Sequence, residues 1–395
     1  MSVWSCAISD DGQIFTRRDH MKSTLTRRQF LRYLGVGSTA ALLAACAPTP
    51  APAPAATSAA PAAPSAAPAK KGLKVASINW TNAHGWRSTY DAQLKEVADK
   101  YIAAGVVSKY QALCPNQDPA LEVQYFDQCI NDGYDIILIN AGGSSGLDAS
   151  FEKAIAKGII AVPVDNIYPY PGVVGVQTDQ GVWAGVNFDA MVKHFNGRHA
   201  RVVNFSGMPG TTGSGLRGDI WNAKLKENPN FEIVYRGAHS WSDVESKKLM
   251  AEVIASGIKY DAILTEEACV GILQAIEEAK APYPEFMTSD ETVAYIRMLA
   301  RINAEKTVID FQVIENPPGI GASALKLAVR MAQGKQFKDG ALKKDAKGTL
   351  VAYYTPVYTV TPATLKDALQ MWKNAADTDQ MSTYLSDEAA DAYFK

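Results

Sequence analysis

From Leu73 onward the chain alternates between short β-branched runs and longer amphipathic runs, and this alternation constrains its fold more than any other feature. The spacing predicts strands over 73–79, 107–113, 135–140, 159–164, 173–177, 200–205, 232–237, 261–264, 285–288 and 307–311. Helix-like runs separate most of them, most clearly over 317–333. There Pro317 and Pro318 suit a first turn, and Ile320, Ala324, Leu327, Ala328 and Met331 mark one apolar face. Such alternation gives parallel sheet with helices on both faces. A chain of 395 residues is also long for one domain. The expected fold class is therefore α/β, with two doubly wound parallel-sheet lobes joined by a hinge of three chain crossings. Those crossings are expected near Thr178-Asp179, between 312 and 316, and between 348 and 354. One lobe is expected to hold 73–178 with 314–349, and the other 179–313 with 350–395, including a helical-looking tail from Ala363.

Upstream the sequence is of a different kind. Thr26-Arg27-Arg28-Gln29-Phe30-Leu31 is a twin-arginine export motif, followed by an apolar stretch over 34–45. That stretch is too short to span a bilayer and reads as the h-region of a signal peptide. It ends in Leu43-Ala44-Ala45-Cys46, which resembles the lipobox of bacterial lipoproteins. The resemblance implies cleavage before Cys46, a lipid on Cys46, and attachment to the outer face of the cytoplasmic membrane or cell envelope. Met21 lies just before the arginine pair, so 1–20 read as a start-site artefact and 21–45 as the signal peptide. Residues 46–72 are almost all Ala and Pro, which build no core and read as a tether. At about 3 Å per residue such a tether reaches roughly 80 Å.

Charge and cysteine content narrow the partners. The net charge is −2 with no basic stripe, which argues against nucleic acid. No metal-ligand spacing or phosphate loop occurs, so neither a metal nor a nucleotide cofactor is expected. Of five cysteines, Cys114 and Cys129 are the nearest downstream pair. The helix expected between them spans about 15 Å, against the roughly 7 Å a disulfide allows, so they are expected to stay unpaired.

Ligands of open α/β sheets bind outside the carboxyl ends of strands. Polar and aromatic residues collect there in this sequence: Trp80, Asn82, Trp86 and Arg87; Asn140; Asp165 and Asn166; Arg217; Trp241; Glu266 and Glu267; and Asp290. Asp, Asn and Arg grip hydroxyls with several hydrogen bonds at once, and indole rings pack on the apolar faces of sugar rings. Trp221 and Trp372 fall inside helices and read as core.

In order and spacing, these residues resemble the type I periplasmic binding proteins for sugars, the ribose-binding-like group. The matching features are Asn82 and Trp86, Ile139-Asn140, Val164-Asp165, Thr178-Asp179, Gly210 through Arg217-Gly218, Trp241 before Asp243, Asp290, and Gly319-Ile320-Gly321. The resemblance implies an extracytoplasmic monomer that captures a small sugar or polyol and delivers it to an ABC permease. It further implies that Asp165, Arg217, Asp290 and Glu266 or Glu267 hold hydroxyls while Trp86 and Trp241 stack on the ring. Asn166 stands where the family often has Arg, and Glu266 or Glu267 where it often has Asn. Both departures make the site more acidic, so a neutral sugar or polyol, or an amino sugar, is expected and anionic sugars are not. The family's hinge-side Gln has no evident counterpart between Gln312 and Asn316.

Two other readings fit parts of the sequence. A lipoprotein that senses a ligand for a membrane receptor would use the same fold. Gly142-Gly143-Ser144-Ser145-Gly146 also satisfies a hydrolase nucleophile elbow, with His194, His199 or His239 as the base.

Overall fold

A computed structural model describes residues 72–82, 85–288, 291–345, 348–355 and 358–395. The export signal, Cys46, the tether and Asp290 lie outside the described residues. The first lobe opens with β1 (Leu73–Asn79), α1 (Gly85–Ala103), β2 (Val107–Leu113), α2 (Pro119–Asn131), β3 (Ile136–Asn140), α3 (Asp148–Ala156), β4 (Ile160–Pro163) and β5 (Val174–Thr178). The second contains α4 (Gln180–Phe195), β6 (Ala200–Ser206), α5 (Thr212–Glu227), β7 (Phe231–Ala238), α6 (Asp243–Ala255), β8 (Ala262–Thr265), α7 (Cys269–Glu278), β9 (Phe286–Met287), α8 (Val293–Ile302), β10 (Asp310–Phe311) and β11 (Val313–Ile314). The chain then returns through α9 (Ile320–Ala332), β12 (Lys343–Lys344) and β13 (Leu350–Tyr354). It ends with β14 (Thr359–Val360), α10 (Leu365–Met371) and α11 (Asp387–Asp391).

The two sheets repeat one plan. Parallel strands run β2-β1-β3-β4 in the first lobe and β7-β6-β8-β9-β10 in the second. In both, the first strand lies inside, so the connections leave it in opposite directions and open a crevice at its carboxyl end. Helices cover both faces because their apolar stripes need burial. On α1, Trp86, Tyr90, Leu94, Val97 and Ala98 recur at helical spacing and are buried. Asp118 caps α2, accepting from the Ala120 and Leu121 amides at 2.9 and 3.2 Å, with Pro119 in the first turn.

Two expected boundaries are corrected. β13 pairs in parallel with β5, from Leu350↔Val174 to Tyr354↔Thr178, and Ala352 and Tyr354 join the first lobe's core. Residues 350–354 therefore belong to the first lobe, in a three-stranded sheet β12-β13-β5 that the Val164↔Val176 bridge joins to the end of β4, and the third crossing follows them. The tail is helical only in α10 and α11. It packs on α8 and then returns to the first lobe, where α11 and Phe394 cover α9. This cover explains why α9 is buried from Ile320 to Arg330, polar residues included. Arg330 donates to both carboxylate oxygens of Asp391 at 2.8 and 3.1 Å, and this pairing holds its guanidinium charged although burial works against it. Cys114, Cys129 and Cys269 are free thiols.

Candidate functional site

A cleft of about 680 Å³ lies between the lobes, a volume suited to a small molecule. The first lobe lines it with Trp86, Arg87, Asp165 and Asn166; the second with Arg217, Trp241 and Glu267, among others. The start of α5 and the caps of α6 and α8, Thr211, Ser242 and Thr292, also face it. Helix N-termini offer amide donors and a positive dipole end, which suit electronegative ligand atoms.

Arg217 is the best-held side chain in the cleft. It is 2 % exposed, and its guanidinium lies 3.9 Å from the centre of the Trp183 ring. Nε donates to Gln180 Oε1 at 2.7 Å; Nη1 donates to Glu267 Oε1 at 3.2 Å and stands 3.6 Å from Glu266 Oε2. Because Arg Nε can only donate, Gln180 must present its oxygen there and its amide to Asn316 Oδ1, 3.1 Å away. The Asn316 carbonyl in turn accepts from the Trp86 indole at 2.7 Å. A continuous polar chain thus runs from the second lobe through two hinge residues to the first. Gln180 and Asn316 set two side-chain amides at the hinge. Asn166 bridges the lobes too: Oδ1 accepts from the Thr212 amide at 3.2 Å while Nδ2 donates to the Ala141 carbonyl.

Behind the second lobe's wall lies a fully buried imidazole. His239 Nδ1 meets the Trp241 backbone N–H at 3.0 Å, so it must accept. Nε2 then carries the proton and donates to Thr265 Oγ1 at 2.9 Å, leaving that hydroxyl to donate to the Glu267 carbonyl at 2.9 Å. Trp241 and Glu267 both adopt left-handed backbone, with φ of 59° and 70°, a conformation that needs such bracing in residues other than glycine. Burial lowers the His239 pKa to about 4, which keeps the ring neutral in its accepting form. The Trp241 ring lies directly on Gly207, where an added Cβ would sit 2.3 Å from the indole.

Electrostatically the cleft is acidic. Asp165, Asp243, Glu267 and Asp377 line it, against Arg87 and Arg217 as the lining guanidinium groups. Burial pushes the Asp165 carboxyl above its ordinary value, and Arg87 and Arg217 pull against that shift. Glu266, 0 % exposed, is likewise pushed up by burial and pulled back by Arg217 and Ser214, whose hydroxyl donates to Oε1 at 2.9 Å. Arg87 Nη1 donates to Asn79 Oδ1 at 2.8 Å, a partner that sequence reasoning missed. Among the described residues no group of His, Cys, Asp and Glu could hold a metal ion.

Four of the expected residues do not line the cleft, Glu266 among them because it is fully buried. Trp80 lies flat against Gly142, where a Cβ would come within 2.3 Å of its ring, so it is a packing residue. Asn82 is exposed. Asn140 is fully buried beside Asp165, whose charged form its side chain favours, although among the described residues neither of its side-chain polar atoms meets a partner in hydrogen-bond geometry. The tail, by contrast, contributes Asp377, Thr378 and Gln380 to the lining.

Two α/β lobes facing one another across a single polar cleft define the class of solute-binding proteins. The chain belongs to the periplasmic binding protein family, matching the periplasmic binding protein domain over residues 75–336. A xylitol-binding protein of Mycolicibacterium smegmatis is 25% identical over 283 residues, 71% of this chain and 75% of that one. An ABC transporter solute-binding protein from Thermobispora bispora shares the fold with a TM-score of 0.67 and 18% identity, over 81% of this chain and 94% of that chain. Another, from Bacillus halodurans with bound myo-inositol, gives 0.63 and 17%, over 76% and 98%.

The family consists of binding proteins, not enzymes, and the hydrolase alternative also fails on placement. Ser144 is exposed on the first lobe. The three histidines belong to the second lobe, where His194 pairs with Asp310, His199 with Glu232 and His239 with Thr265.

Proposed function

We propose that the protein captures a neutral sugar or polyol outside the cytoplasm and delivers it to an ABC permease, acting as a monomer tethered by a lipid on Cys46. The observation that carries the ligand class is the charge of the cleft: with Asp377 paired to Arg297, the three lining carboxylates of Asp165, Asp243 and Glu267 face two guanidinium groups, both of which already have protein partners. An anionic ligand would add an uncompensated buried charge, which costs several kcal/mol, whereas hydroxyls satisfy carboxylates and guanidinium groups alike. In this reading Asp165, Asn166, Arg217 and Glu267 hold hydroxyls from both lobes, and Trp86 and Trp241 present ring faces. Asn140, buried at the end of β3 with no side-chain hydrogen bond of full geometry among the described residues, would gain a partner from a ligand hydroxyl. Asp290 belongs to the same set on the resemblance alone. The xylitol-binding relative and the inositol-bound neighbour support the ligand class.

Contacts made to both lobes at once would drive closure. A thermal-shift screen of pentoses, hexoses, polyols and nucleosides tests the ligand class, since a tight ligand raises the melting temperature by mass action. The expected outcome is a shift with a neutral sugar or polyol; a shift with nucleosides alone would contradict it. Replacing Cys46 by Ser is expected to leave the precursor uncleaved or the protein unanchored. Normal membrane-bound mature protein from that variant would contradict the anchor.

A further inference from the structure

We propose that the C-terminal tail forms one wall of the ligand site, with the Gln380 amide as a specificity-determining contact. This rests on the reading of the cleft as a sugar or polyol site. The tail lies beyond the matched family domain, which ends at residue 336.

The tail's path is fixed on both sides of the cleft. In the second lobe, Arg297 gathers the Trp372 and Ala375 carbonyls and pairs with the Asp377 carboxylate. The chain then runs antiparallel to the start of α8. The Ala294 amide donates to the Asp377 carbonyl at 3.1 Å, the Val293 amide to Asp379 at 3.0 Å, and the Met381 amide to Glu291 at 2.8 Å. Amides in the first turn of a helix have no acceptor within it, so the tail carbonyls supply what α8 lacks. Met381 is then fully buried in the second lobe's core.

One residue later the chain is held by the first lobe. Ser382 Oγ accepts from the Gly319 amide at 3.0 Å and donates to Gln93 Oε1 at 2.8 Å. Thr383 donates to the buried Glu315 carboxylate, at 2.7 Å from Oε1, and the Tyr354 hydroxyl reaches the same oxygen at 3.2 Å. Glu315 lies on the second crossing and Tyr354 just before the third, so the tail is a fourth connection between the lobes and meets the other two at one carboxylate.

Between these anchors Thr378 and Gln380 line the cleft. The fit is close: a Cβ on Gly85 of the first lobe would lie 3.2 Å from the Thr378 carbonyl and 3.6 Å from Gln380 Nε2. The Asp377 carboxylate is taken up by Arg297, whereas the half-buried Gln380 amide has no protein hydrogen-bond partner among the described residues. An amide offers donor and acceptor side by side without adding charge, which matches two adjacent hydroxyls. Its place on a rigid backbone fixes which hydroxyl pair it can reach.

The test is calorimetry on the full chain with xylitol, myo-inositol and L-arabinose, comparing wild type, Gln380→Ala and Asp391→Ala. Gln380→Ala is expected to weaken at least one ligand about tenfold, change the ratios among the three, and leave the ligand-free melting temperature unchanged. Asp391→Ala loosens the tail where it grips Arg330, and is expected to lower the melting temperature with the ratios intact. If Gln380→Ala left affinities and ratios as in wild type, this inference alone would fall. Wild type binding none of the three would overturn the sugar and polyol reading, and this inference with it.

Discussion

The two walls of the cleft are built on the same strand order but are finished differently. On the second lobe, Arg217 is stacked on Trp183, bonded to Gln180 and Glu267, and set beside Glu266. His239 ties the turns of Trp241 and Glu267 together through Thr265. On the first lobe, Asn140 is buried with no side-chain hydrogen bond of full geometry among the described residues, and Asp165 holds a left-handed φ of 60°. The second wall is therefore the more braced by protein contacts, and open polar capacity is left at Asn140 on the first wall and at Trp241 Nε1 on the second. Substitutions on the second wall should cost stability and binding together; at Asn140, chiefly binding.

Removing Arg217 is the strongest way to break this comparison. Arg217→Ala is expected to weaken ligand binding by about 2–4 kcal/mol. It should also destabilise the ligand-free protein by roughly 3 kcal/mol, because Glu266 loses its counter-charge in a buried setting. Calorimetry and urea unfolding check the two effects; a loss of binding with unchanged stability would show that the second wall is not preorganised.

His239 gives the next largest effect, through pH. Its folded-state pKa of about 4 lies below the ordinary 6.5, so the unfolded chain takes up the proton first as pH falls. Stability from this group is complete above 6.5 and is lost as pH falls toward 4, by roughly 3 kcal/mol in all. Protonated Nδ1 can no longer accept from the Trp241 amide. His239→Gln should flatten the unfolding free energy over that window, and an unchanged slope would place the titration elsewhere.

The two glycines under tryptophans sharpen the contrast further. Gly207→Ala pushes on Trp241, and Gly142→Ala on Trp80, each at a cost of about 1–3 kcal/mol. Only Gly207→Ala should lower ligand affinity, because only Trp241 lines the cleft. Equal losses of affinity would return Trp80 to the site. The smallest effect is expected from Asn140→Ala: about 1 kcal/mol in binding, with a smaller change in stability, because among the described residues its side chain makes no hydrogen bond of full geometry.

The sheets were legible in the sequence because β-branched runs recur with helix-length gaps, and each expected strand falls on an observed one. Much of the cleft was legible for a related reason: in this architecture the residues after strands face the crevice. That rule fails at Trp80, where the ring turns onto Gly142, and the adjacent glycines were the available signal. The pairing of β13 with β5 joins segments far apart in the chain, and no local pattern encodes it. The same holds for the tail, whose non-helical stretch from Asp377 to Thr383 is shaped by α8 and α9. Gln180 carried no signal in the sequence, and His239 read as one histidine among several. Their roles depend on partners that only the folded chain brings near.

The central claim is that an acidic cleft between the lobes selects a neutral polyhydroxyl ligand. Calorimetry of the wild-type protein with xylitol, glucose, glucuronate and a sugar phosphate tests it most directly. Binding is expected with a neutral ligand and none with glucuronate or the phosphate. Tighter binding of either anion than of both neutral compounds would contradict the claim, and would point to Arg87 and Arg217 as anion ligands.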